Sequence, residues 1–144
     1  MWKKIIISIV LFTAILTTVV FIYAGKQNSG SKETSAFSSG GITMSYPEPD
    51  SKISNPLNVE GKAPGSWYFE ASFPVKITDA NGNVLGQGLA EAQSDWMTTS
   101  SVPFKTSITF SAPKTSQGFL VLSKDNPSGL PQNSAEVKFQ INFQ

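Results

Sequence analysis

The chain contains no cysteine and no histidine among its 144 residues, and no arginine either. Each absence closes a class of function. Without cysteine there can be neither a disulfide framework nor thiol chemistry, and no lipid-modified N-terminal cysteine. Without histidine there is no Ser-His-Asp or Cys-His arrangement, and zinc loses both of its usual ligands. Nucleic-acid binders need a basic face and usually arginine forks. From Ile42 onward seven lysines stand against nine acids, about −2, so that class is excluded as well. Sustained helical stripes are also missing after Ala24; Leu89 to Trp96 gives a turn or two at most.

What is present begins with a run of twenty uncharged residues, Ile5 to Ala24, directly after Lys3 and Lys4. As a helix it spans about 30 Å, the thickness of a bilayer's hydrocarbon core. The run is longer than a signal-peptide core, and Ile22-Tyr23-Ala24 has a bulky residue where cleavage prefers a small one. An uncleaved signal-anchor is therefore expected, with residues 1–4 cytoplasmic and everything after Ala24 outside. Secretion after cleavage, leaving a chain that begins at Gly25, is the alternative. Residues 25–41, rich in Gly and Ser, read as a flexible tether reaching roughly 20–25 Å. The single-pass membrane location, with the membrane as a partner, follows from this reading.

Residues 42–144 form one domain's worth of chain that reads as strands. Val137, Phe139, Ile141 and Phe143 alternate with polar residues, as do Phe104, Ile108 and Phe110, and Phe73, Val75 and Ile77. Pro74 points to an edge or a bulge. Phe119 to Leu122 is a continuous apolar run, expected of a central strand. Asp79-Ala80-Asn81-Gly82 marks a hairpin, with Gly82 supplying positive φ. About seven or eight short strands predict an all-β, antiparallel sandwich of immunoglobulin-like architecture preceded by one transmembrane helix.

Ile53-Ser54-Asn55-Pro56-Leu57-Asn58-Val59-Glu60-Gly61-Lys62-Ala63, then Trp67-Tyr68-Phe69-Glu70, the Val75–Leu85 hairpin, Pro103-Phe104, Gly118–Val121 and the closing strand come in a characteristic order. In these pieces the stretch Ile53–Asn142 resembles the immunoglobulin-like domain of bacterial spore germination, the Gmad2 family. The resemblance implies an extracytoplasmic sandwich without catalytic residues.

Few site candidates remain. Asp79, Asn81 and Asn83 have the spacing that opens a calcium loop, but the twelfth position is Ala90, so a plain turn is expected and no metal or cofactor is called for. Trp67 and Phe69 are expected on one face of a strand and Tyr68 on the other, with Glu70 half-buried beside them. Tyr68 and Trp96 are the candidate binding residues, as an exposed platform for a sugar or a protein. Glu91 and Asp95 would share a helical face as a carboxylate pair. The expected function is a non-catalytic, membrane-anchored binding or scaffolding module of the bacterial envelope, whose partner is an envelope protein. The alternative is a cell-wall carbohydrate-binding module or weak glycan hydrolase using Tyr68, Trp96, Glu91 and Asp95.

Overall fold

In the computed structural model, residues 37–144 are described. They form nine strands: β1 (Phe37–Ser39), β2 (Ile42–Tyr46), β3 (Lys52–Ile53), β4 (Leu57–Pro64), β5 (Ser72–Asp79), β6 (Val84–Ala92), β7 (Ser101–Ile108), β8 (Gln117–Ser123) and β9 (Glu136–Phe143). One continuous sheet joins them in the order β1-β2-β4-β7-β6-β5-β8-β9-β3. Every pair is antiparallel except β3 with β9, where Lys52 and Ile53 run parallel to Asn142 and Phe143. The expected antiparallel sandwich of seven or eight strands is thus corrected to a mixed nine-stranded sheet.

Period-two patterning produces this architecture. On β9, Val137, Phe139, Ile141 and Phe143 are all buried while the residues between them face out. Each such side chain contributes on the order of 1.5–3 kcal/mol, as an upper bound. β4 and β7 alternate in the same way and pair along their whole lengths, from Leu57↔Ile108 to Pro64↔Ser101. The sheet curls because β6 and β7 pair only at Glu91↔Lys105 and Ala92↔Phe104. That weak seam lets β1-β2-β4-β7 fold across from β6-β5-β8-β9-β3. Phe73 of β5 closes the core, its ring edge-on to Phe104 of β7 at 5.1 Å, to Tyr68 at 5.1 Å and to Trp67 at 5.9 Å.

Pro74 lies in β5, a central strand, rather than on an edge. The ladder to β8 begins only at Val75↔Leu122, so the missing N–H of Pro74 breaks no bond there. Gly40 and Gly41, with φ of 56° and 81°, turn β1 into β2, so the folded region starts at Phe37 rather than Ile42. Both central residues at positive φ make a tight hairpin turn that glycine adopts without strain. Trp67, Tyr68 and Phe69 do not form a strand. Gly65–Trp67 is a single 3-10 turn, since β4 ends at Pro64 and Gly65 packs where any side chain would collide with the carbonyls of Thr98 and Trp96.

The expected transmembrane helix, Ile5–Ala24, lies outside the described residues, as does most of the tether. Among the described residues no helix is long and apolar enough to cross a membrane. The structure therefore gives no support to the signal-anchor, to the membrane as partner, or to the single-pass location, and none of them enters the functional reading below.

Candidate functional site

The outward side chains of β4, β7 and β6 line an open groove of about 590 Å³. Cross-strand register places Glu60 opposite Lys105 and Lys105 opposite Glu91, so the three form one row across three strands. Lys105 Nζ pairs with Glu60 Oε1 at 3.0 Å. Both groups are solvated, and such a pair is worth about 0–1 kcal/mol, so its role in stability is small. Asn58, Thr106 and Ser107 also line the groove, with no hydrogen-bond partner for their side chains among the described residues. Leu89, 54% exposed, forms the apolar wall and separates this groove from a smaller one of about 340 Å³ beside Pro74 and Lys76.

The floor of the groove follows from the weak seam. Gln93 N–H donates to Pro103 O at 2.8 Å, and Ser111 N–H donates to Leu85 O at 3.0 Å. Both bonds fit the register of Glu91↔Lys105, yet between Leu85 and Glu91 no ladder pair joins β6 to β7. Ladder groups of Leu89 and Ser107 are thus available to water or a ligand from the outer face. A second hollow, about 580 Å³, lies beside β9, where Gln117 Nε2 donates to Asn142 Oδ1 at 3.1 Å and Asn142 Nδ2 to Asp50 O at 3.0 Å.

The sequence candidates are distributed differently. Tyr68 is buried, 5% exposed, and its hydroxyl donates to Val102 O at 2.9 Å. Burial pushes its phenol up to about 12. It is a core residue and offers no ring face to a ligand. Trp96 is half-buried against the core in the loop between β6 and β7, three residues beyond Gln93 of the groove. Glu91 stands on β6 and Asp95 in the following loop, where Asp95 Oδ1 accepts the Met97 N–H at 3.1 Å. They share no helical face. Glu70 is exposed rather than half-buried, at φ 49°.

Asp79 is the one buried charged residue among the described residues, and it braces the β5–β6 hairpin. Its Oδ1 accepts the N–H groups of Asn81 and Asn83, each at 2.9 Å, and its Oδ2 accepts Asn83 Nδ2 at 2.8 Å. The Asn83 side-chain bond chiefly holds the carboxyl below its ordinary range, against an opposing push from burial. Every oxygen of Asp79 is thus engaged in the turn, and among the described residues no cluster of acidic side chains could hold a metal ion.

A family model described as the immunoglobulin-like domain of bacterial spore germination, Gmad2, matches residues 41–130. The chain belongs to this family. The match runs from the β1–β2 turn into the loop before β9, so it takes in most of the sheet and the whole groove. No curated protein and no solved structure matches the chain. As a Gmad2 domain it is a non-catalytic module.

The row Glu60–Lys105–Glu91 is what sequence reasoning missed. Glu60 and Lys105 are forty-five residues apart, and only the β4–β7 register brings them together. Alternation of Asn58, Glu60 and Lys62 against Leu57, Val59 and Ala63 was the available signal that these polar side chains share an outer face.

Proposed function

We propose that this Gmad2 domain is a non-catalytic carbohydrate-binding module that takes a linear glycan of the bacterial cell wall across the β4–β7–β6 groove. One observation carries the reading: an open, polar groove in which the unpartnered Asn58, Thr106 and Ser107 side chains stand beside the row Glu60–Lys105–Glu91, where the β6–β7 ladder stops. Glycan hydroxyls exchange donor and acceptor bonds with such groups, and Leu89 supplies an apolar wall for the carbon face of a sugar ring.

The test is calorimetric titration of the full chain with soluble cell-wall glycan fragments. A Lys105→Ala, Asn58→Ala double variant, which removes two groove donors at exposed positions, is expected to weaken binding at least tenfold, since one lost charged hydrogen bond is worth about 1.5–3 kcal/mol. Unchanged affinity in the variant would remove the groove from the account.

A further inference from the structure

Beyond the Gln93 end of the groove, one end of the domain gathers three loops that each display one large apolar side chain. The loops are residues 65–71, 94–100 and 124–135. Antiparallel register places them together: β4 ends where β7 begins, β5 begins where β6 ends, and β8 ends where β9 begins. Backbone bonds then tie them to one another. Gly65 N–H donates to Ser100 O at 3.1 Å, and Asp125 N–H donates to Trp67 O at 3.0 Å. The displayed residues are Phe69, 43% exposed, Met97, 76% exposed, and Leu130, 48% exposed.

None of the three hangs on a loose segment. Phe69 and Ser72 exchange backbone bonds at 3.0 and 3.1 Å around a turn in which Glu70 and Ala71 both hold positive φ, 49° and 63°. Ordinary side chains at such angles cost of order 1–3 kcal/mol each, so the surrounding fold over-determines this turn. The Met97 backbone N–H donates to Asp95 Oδ1 at 3.1 Å, and the Leu130 carbonyl accepts Asn126 Nδ2 at 2.9 Å. Apolar anchors held rigidly before binding lose little entropy when a partner arrives.

Charge narrows the partner. These loops carry Glu70, Asp95 and Asp125 against Lys124 alone. A net negative rim repels anionic lipid headgroups and acidic proteins and draws in a basic surface.

We propose that this loop end docks a polypeptide segment in which apolar side chains alternate with lysine or arginine. The apolar groups of the segment meet Phe69, Met97 and Leu130, and its cations meet the three carboxylates. This surface is separate from the glycan groove, so the module joins a wall polymer to a protein.

Three synthetic twelve-residue peptides test it against the full chain, read by backbone amide shifts: leucine with lysine, leucine with glutamate, and serine with lysine. The leucine–lysine peptide is expected to shift amides in residues 65–71, 94–100 and 124–135 and to leave Asn58 and Ser107 unmoved. The other two peptides are expected to bind at least tenfold more weakly. A Met97→Ser, Leu130→Ser variant, which removes the apolar groups without adding charge, should lose tenfold or more in affinity for the first peptide while keeping its melting temperature and its glycan binding. Absence of peptide binding, equal binding of all three, or shifts centred elsewhere would each overturn the proposal. So would concentration-dependent dimerisation that Met97→Ser abolishes, because a second copy would then be the occupant.

Discussion

Replacing Phe73 by alanine is the most informative perturbation of the fold. Phe73 is fully buried and its ring touches Trp67, Tyr68 and Phe104, so it is where the two halves of the curled sheet meet. Phe→Ala in a core costs about 3–5 kcal/mol, and the three edge-on contacts place this site toward the upper end. With an unfolding entropy of about 2.1 cal/mol/K per residue, the 108 described residues give about 0.23 kcal/mol/K. The expected fall in melting temperature is therefore about 13–22 °C. Phe69→Ala, at a position 43% exposed and only four residues away, is expected to change it by about 2 °C or less. Thermal unfolding of both variants by circular dichroism reads the contrast directly. If Phe73→Ala falls by less than about 5 °C, or Phe69→Ala falls as far, the assignment of the aromatic core is wrong.

Other outcomes follow from single side chains. Gly118→Ala would drive a methyl into the Thr78 carbonyl and the Phe143 ring, and chemical denaturation should show a loss of about 1–3 kcal/mol. Tyr68 has a folded value raised to about 12 from 10.0, so its stabilisation is complete below pH 10 and is lost as pH rises through 12. Tyr68→Phe should remove that part of the alkaline limb in a pH-stability profile. Asp79 behaves oppositely. Its folded value lies below 3.8, so its contribution is present above that pH and disappears as pH falls through the lowered value. Asp79→Asn should flatten the acid limb of the same profile.

Strands were legible where burial is one-sided. β5, β7 and β9 each bury alternate apolar residues, so period two is printed in their sequences. The Asp79–Asn83 hairpin was legible because its chemistry is local. Gly40-Gly41 was not, because the same pair of glycines serves a linker or a tight hairpin turn, and only pairing of Phe37 with Met44 decides between them. Glu91 and Asp95 would share a face only on a short helix, which their four-residue spacing permits, whereas Leu89 to Glu91 belong to a strand held by β5. Tyr68 looked available for binding because an aromatic's burial depends on the fold around it, here the carbonyl of Val102 thirty-four residues away. The groove itself depends on where the β6–β7 ladder stops, a non-local property with no sequence signature.

Binding without catalysis at the sheet groove is tested most directly by co-sedimentation of the full chain with purified insoluble peptidoglycan, followed by assay of the supernatant for released reducing sugar. The chain is expected in the pellet, displaced by Lys105→Ala with Asn58→Ala but not by Met97→Ser with Leu130→Ser, and with no sugar released. A chain that stays in the supernatant, or one that sediments and frees soluble fragments, would contradict the account.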